Sequence, residues 1–362
     1  MAAEDDAVEP AASPKELPPV VLGLNAVILA VTDEVPRVLT VRRAGHALAA
    51  PEELALAATA PRDRDLPDAL PFGPLDPVEH QTLDKGLRAW VAQQTGLQLG
   101  YVEQLYTFGD RFRDPRERDG GPRVVSAGYL ALVEEQEVAG AGGARWQDVY
   151  DYLPWEDWRA GKPPLLEKTA LPALAAWARQ GGRQARLRRE RVDLTFGVDA
   201  PWDPYRVLER YELLYEAGLV RESWVDRREA PPGEADAASR GGRRTKGSTV
   251  QLGRAMALDH RRILATALGR VRGKLKYRPV VFELLPPAFT LSRLQRVAEA
   301  LAGVRLHKQN FRRLVEHGGL VEGTGRQDLS TGGRPAELFR FRREVLRERP
   351  APGVGLPGAL RG

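Results

Sequence analysis

Apolar residues follow two rhythms along this chain. "VVLGLNAVILAV" (20–31) is almost unbroken, and "RVLTVRR" (37–43) follows the turn "TDEVP"; both predict strands. Residues 44–80 carry prolines at 51, 61, 67, 71, 74 and 77, which break any long element and predict a loop. A helical repeat returns over 82–95 and stops at Gly96. "YVEQLYTFG" (101–109) and "RVVSAGYLALV" (123–133) predict two further strands around the charged loop "DRFRDPRERDGGP". Part of 155–180 is expected to be helical. After a basic linker, "RQARLRRERVD", the stripe Val207, Leu208, Tyr211, Leu214, Tyr215 and Leu219 marks a helix near 203–219. Residues 226–249 hold few apolar residues and predict a flexible stretch, and 253–275 predicts a long helix.

The segment from about 277 to 349 parses as helix–turn–helix–wing. Thr290 or Ser292 caps a first helix whose core face is Leu291, Leu294, Val297 and Leu301, and Gly303 makes the turn. A second helix, 306–317, is expected to bury Leu306, Phe311, Leu314 and Val315 and to end at Gly318-Gly319. "GLVEGTG" and "AELFRFRR" predict a β-ribbon with the basic tip "STGGRP". Such a unit docks on DNA by laying its second helix in the major groove. Lys308, Arg312 and Arg313 suit phosphates or guanine edges, and Gln309 and Asn310 suit adenine edges. Arg334 at the wing tip suits the minor groove. A solvated basic face, or a winged helix that binds protein, is the alternative.

Charge favours the first reading. The net charge of +5 conceals a division. Residues 1–180 hold 18 basic and 28 acidic side chains, whereas 240–349 hold 25 basic and 9 acidic. The basic segment suits a polyanion. Cysteine is absent, which excludes disulfides, a thiol nucleophile and thiolate zinc sites. Five histidines, none in a helical pair, argue against a His-based metal centre. Residues 1–19 are acidic, with neither the basic start nor the apolar run of a signal peptide, and predict a disordered tail. No run of about 18 apolar residues predicts a membrane span, and a cytoplasmic location is expected.

The helix at 82–95 lies in a window without acids, because none occurs between Asp84 and Glu103. Residues 75–97 nevertheless resemble the signature of the Nudix hydrolases, whose helical glutamates hold magnesium. Val91, Gly96 and Leu97 fit its structural positions. Leu75, Gln81 and Ala89 replace its glycine, first glutamate and arginine, and Trp90, Gln93 and Gln94 replace the three helical glutamates. A neutral amide can neither balance a dication nor act as a base. The following "EQLYTFGD" (103–110), "RDPR" (113–116) and "YLALV" (129–133) resemble the Nudix-related transcriptional regulators of NAD metabolism more specifically. So do "ALGRVRGKLKYRPVVFELLP" (267–286), the helix–turn–helix sequence and "GRPAELFRF". Residues 184–250 have no counterpart in the resemblance.

The resemblance implies an α+β chain: a Nudix-like α/β/α sandwich with a C-terminal winged helix–turn–helix domain. The expected plan is a tail at 1–19 and a nucleotide-sensing domain at 20–182. A linker or insertion at 183–252 contains the helix near 203–219. The linker helix and DNA-binding domain follow at 253–349, with a flexible tail at 350–362. The family's members are described as repressors of NAD-biosynthesis genes that bind ADP-ribose or a related nucleotide and grip a palindromic operator as homodimers. In that setting Arg42, Arg43, Arg113 and Arg116 are candidate phosphate partners, and Tyr106 and Phe108 candidate stacking surfaces. No catalytic residue, metal or required cofactor is assigned. The rival is a divergent Nudix hydrolase drawing acids from Glu52, Glu53, Asp110 or Asp114. A third possibility is a nucleotide-binding adaptor that contacts protein.

Overall fold

The computed structural model describes residues 20–42, 67–139, 143–229, 252–329 and 335–354. The strands β1 (Val20–Thr32), β2 (Val35–Arg42), β3 (Asp68–Ala69) and β4 (Phe72–Pro74) lead to helix α1 (Leu83–Thr95). Then come β5 (Tyr101–Phe108), β6 (Arg123–Leu132) and β7 (Arg145–Asp148). All seven strands form one sheet of order β3-β2-β1-β6-β5, with β4 added to β1 and β7 to β2. β1 and β6 run parallel, Leu24 opposite Ala127, and the other pairings are antiparallel. Asp33 and Glu34, with φ of 50° and 63°, close the β1–β2 hairpin in the backbone twist that tight hairpins need.

The unbroken apolar run of β1 follows from burial on both faces. Leu24, Ala26, Ile28 and Ala30 share a core with Leu87 and Val91 of α1. Val27, Leu29 and Val31 belong to a second, larger core on the opposite face. That core is built mostly by the rest of the chain. It includes Leu174 of α2 (Leu171–Arg179), Phe196 of α3 (Ala185–Phe196), and Tyr211 and Leu214 of α4 (Val207–Glu216). After α5 (Arg221–Glu229), α6 (His260–Leu275) adds Ile263, Leu264, Leu268 and Val271. The same core continues through α7 (Leu291–Ala302) to Phe311 and Val315 of α8 (Lys308–His317). The wing is the hairpin of β8 (Val321–Asp328) and β9 (Ala336–Phe341).

Three expectations change here. The "basic linker" is helix α3, which buries only Val192, Thr195 and Phe196 and turns its arginines outward; its apolar side is too narrow to register as a repeat. Residues 252–259 precede α6 without being helical, tied by Leu252 N–H to Leu219 O and Ala257 N–H to Asp68 O. The segment after 350 does not fray at once: Pro352 and Val354 are buried, and Gly353 lies so close to the Lys276 backbone that a side chain would collide. Residues 226–229 of the expected flexible stretch end helix α5, and its remainder, 230–249, lies outside the described residues with the tail 1–19 and residues 355–362.

A buried ionic cluster joins the three parts of the chain. Glu156, Arg210 of α4 and Arg272 of α6 are all fully buried. The Glu156 carboxylate accepts from Arg210 Nε at 2.5 Å and Nη2 at 2.8 Å, and from Arg272 Nη1 at 2.5 Å. Spare donors are satisfied too. Arg210 reaches Asp203 O at 2.8 Å, and Arg272 reaches Leu301 O at 3.0 Å and Pro204 O at 3.1 Å. The Trp202 ring covers both guanidiniums, 4.9 and 5.7 Å away. A second buried pair, Arg261 with Glu222, fastens α6 to α5.

Glu156→Gln is expected to lower stability by about 3–5 kcal/mol, the usual cost of breaking one partner of a buried ionic group; urea melts at neutral pH measure it. Burial raises the Glu156 pKa, but Arg210 and Arg272 outweigh it and hold the carboxyl below its usual range. A depressed folded value means the charge stabilises above the unfolded carboxylate range and ceases to do so as pH falls through the folded value. The gap between wild type and variant should therefore close below about pH 4. A gap unchanged in acid would remove the charge from the explanation.

Candidate nucleotide cleft and nucleic-acid interface

Helix α1 is well formed. Thr82 Oγ1 accepts from Lys85 N–H at 3.1 Å, and Gly96, at φ 75°, returns its N–H to Ala92 O at 2.9 Å. The residues standing where magnesium ligands would be are engaged otherwise. Trp90 Nε1 donates to Pro74 O at 2.8 Å, and its ring lies flat against Gly73, where any side chain would collide with it. Gln94 pairs with the Phe72 backbone in both directions: Oε1 accepts from Phe72 N–H at 3.1 Å, and Nε2 donates to Phe72 O at 2.7 Å. Both side chains therefore staple α1 to β4. Gln93 is exposed, and Gln81 is exposed and accepts from Lys85 Nζ at 2.5 Å. Among the described residues no three acids or histidines gather as a metal site. Glu52 and Glu53 lie outside those residues, Asp110 pairs with Arg262 at 2.8 Å, and Asp114 pairs with Arg116 at 2.9 Å.

The "RDPR" loop is ordered by its own charges. Asp114 caps the short turn Pro115–Asp119 through Arg116 N–H at 3.0 Å. Arg113 is 4 % exposed and grips Asp259, the residue before α6, with two bonds of 3.0 and 2.6 Å. Behind this pair is a cavity of about 10 Å³ lined by Asn25, Phe72, Arg113, Asp114, Ser126 and His260 among others. That is room for one water at most. Asn25 donates to Ser126 Oγ, while its own buried Oδ1 has no partner. His260 Nδ1 accepts from Leu70 N–H at 2.9 Å, and its ring stands edge-on to Phe72.

The candidate ligand residues are thus placed unequally. Arg113 and Asp114 border the cavity. Arg116 is held beside them by Asp114. Tyr106 is 65 % exposed on the outer strand. Phe108 corrects the expectation: it is 6 % exposed, packed in the core against Gly128 and edge-on to Tyr106, and offers no stacking face. Half-buried Arg42 ends β2 opposite Asp68 of β3, while Asn25 of β1 lies between Phe72 of β4 and Gly128 of β6. Arg43 lies outside the described residues. Asn25, Ser126 and His260 escaped the sequence reading. Their only signal was a polar side chain in each of two otherwise apolar strands, and a lone histidine at a helix start.

The second site is the face of α8. Thr290 Oγ1 caps α7 by accepting from Arg293 N–H at 3.1 Å, and Gly303, at φ 70°, turns the chain. Glu299 fixes the turn, accepting from Leu306 N–H at 2.9 Å and from Arg305 at 2.8 Å. With Phe311 and Val315 buried, α8 turns Lys308, Gln309, Asn310 and Arg313 to solvent, while Arg312 is half-buried with its Nε unpartnered. Leu314, expected in the core, is 38 % exposed, because the core side of the helix is only as wide as Phe311 and Val315. The wing braces this unit through Phe289, which exchanges backbone bonds of 2.9 and 2.8 Å with Phe339. Phe341 stacks on Phe282 at 4.3 Å. Arg334 lies outside the described residues.

A mixed sheet with a stripped Nudix helix, sharing its core with a winged helix, defines a Nudix-like winged-helix protein. Residues 281–341 match the family described as the NrtR DNA-binding winged helix domain. The chain is similar to the "ADPR responsive transcriptional repressor NtrR" of Acinetobacter baylyi, 40 % identical over 86 residues. That alignment covers 24 % of this chain and spans about a third (34 %) of the relative. The crystal structure of Shewanella oneidensis NrtR complexed with a 27mer DNA has the same fold at 20 % identity and a TM-score of 0.51, covering 90 % of this chain and 95 % of that one. Residues 281–341 thus form a winged helix of the NrtR type, and the chain as a whole shares the fold of the Shewanella protein.

Gln94→Glu tests whether the helix is a scaffold. The change removes the donor to Phe72 O and sets a carboxylate against that carbonyl, so a loss of about 1–3 kcal/mol is expected in denaturant melts. No magnesium-dependent release of AMP from ADP-ribose should accompany it. A stable variant that turns over would show α1 to be a metal site one residue from activity.

Proposed function

We propose that this protein is a DNA-binding transcriptional repressor that senses ADP-ribose, or a related nucleotide, without consuming it. The observation that carries the reading is the union of an exposed basic helix, in a segment matching the NrtR DNA-binding domain, with a Nudix helix whose ligand positions are used as staples. The name of the Acinetobacter relative and the DNA-bound Shewanella structure support it. Genes of NAD metabolism are the proposed targets, a homodimer on a palindromic operator the proposed assembly, and the cytoplasm the proposed location. No helix among the described residues is long and apolar enough to cross a membrane.

The ion pair of Arg113 with Asp259 supports a mechanical link between the two sites. A pyrophosphate entering the cleft would compete with Asp259 for Arg113, and the cavity behind the pair must widen to admit it. Asp259 leads directly into α6, which packs against the sheet, α4 and α7. The ligand thereby favours a different placement of α6 and of the winged helix after it. By linkage, duplex DNA weakens nucleotide binding by the factor with which nucleotide weakens DNA binding.

Calorimetric titration with ADP-ribose, alone and with a duplex recovered from random-sequence DNA, measures that factor; equal affinities would sink the switch. Asp259→Asn leaves Arg113 without its charged partner and is expected to tighten ADP-ribose binding several-fold while shrinking the effect on DNA. In gel shifts Arg313→Ala should weaken the selected duplex by about 1–3 kcal/mol, the worth of one good base contact. Unchanged shifts would move the interface off α8.

A further inference from the structure

A groove of about 500 Å³ runs beside α8, lined by Lys276, Arg313, Leu314, His317, Arg349 and Pro352 among others. Among the described residues no acidic side chain lines it. Lys276 and the segment from Arg349 to Gly353 lie outside residues 281–341, so the groove forms where α8 meets segments on either side of that domain. Its outer wall exists only because the C-terminal segment docks, with Pro352 and Val354 buried and Gly353 against Lys276.

Several arginines elsewhere on the winged helix are neutralised locally. Arg293, Arg296, Arg305, Arg340 and Arg342 all hold carboxylates. Among the described residues the groove's cations take part in no ion pair. Lys276 Nζ rests 4.0 Å over the Tyr205 ring, Arg349 Nη2 donates to His317 O at 3.2 Å, and Arg313 is exposed. Arg313 lies two residues from both Phe311 and Val315, so it points straight away from the core, and His317 follows it one turn on. The groove therefore opens along the C-terminal flank of the base-reading face. Its apolar members, Leu314 and Pro352, suit a deoxyribose, and its cations suit the phosphates on either side.

The geometry points to a clamp for the DNA sugar-phosphate backbone, formed by Lys276 at the end of α6, Arg349 and the docked tail, and continuous with Arg313. This rests on the DNA-binding reading above. Phosphate contacts fix position and carry no sequence information. Each one also releases counterions, steepening the fall of log affinity with log salt by about 0.9.

Full-length protein is titrated with the selected duplex over a range of salt. Lys276→Gln and Arg349→Gln should each reduce the slope by about 0.9 per bound chain. Each should weaken binding several-fold and leave the ranking of duplex sequences unchanged. Arg349→Lys keeps the charge and should keep the slope. Lys168→Gln, on the exposed surface preceding α2, should leave it alone. Wild-type slopes in both Gln variants would overturn the clamp while leaving the regulator intact. Failure of the wild type to bind any duplex would overturn both. Melting temperatures accompany each variant, and Arg349→Lys separates lost charge from lost packing.

Discussion

Everything in this molecule turns on Glu156. It lies in the first half of the chain, is completely buried, and is held by an arginine from the middle segment and another from the linker helix. A buried carboxylate flanked by two guanidiniums is costly to desolvate and tolerates no missing member. Its value lies in specification. The two arginines have many backbone acceptors but one carboxylate, so α4 and α6 can settle on the sheet in one arrangement only. The winged helix then inherits its position through Arg272, whose third contact is the Leu301 carbonyl at the end of α7.

That constraint gives the second layer of the sandwich an unusual origin. One face of the sheet is covered by the Nudix-type helix, and the other by helices from the middle and end of the chain. The sheet domain and the winged helix are therefore not beads on a linker, and their shared core makes motion in one a repacking of the other. Interfaces of this kind change between discrete arrangements rather than flexing continuously, as a switch requires. The surface pairs of Glu34 with Arg296 and Arg305 brace the same joint from outside, where salt weakens them and their contribution is small.

The residues that follow simple rules were legible from the sequence. The stop at Gly96, the cap at Thr290, the turn at Gly303 and the strand runs each report a local requirement of the backbone. So do Phe311 and Val315 in the recognition helix. What was hidden depends on distant partners. Arg210, Arg261 and Arg272 read as exposed charge, yet they are among the largest fully buried side chains. Arginine in helix α3 looked like linker because the helix needs so little apolar surface to dock. Phe108 resembled a stacking surface because strand alternation does not tell which side a bulge will turn inward, and β5 shifts register between Gln104 and Thr107. The missing acids were plain to see. The new work of Trp90 and Gln94 was not, because their acceptors are backbone atoms of a three-residue strand.

That last feature bears on how such a protein can change over time. Trp90 occupies space that exists because residue 73 is glycine, and Gln94 closes a two-way bond that neither an acid nor an apolar side chain reproduces. A lineage reacquiring one glutamate at either place would lose a staple and gain no metal, since one carboxylate is too few for a dication. Several changes would have to arrive together, each harmful alone. The packing of this helix thus stands as a barrier against a return to metal chemistry by single steps.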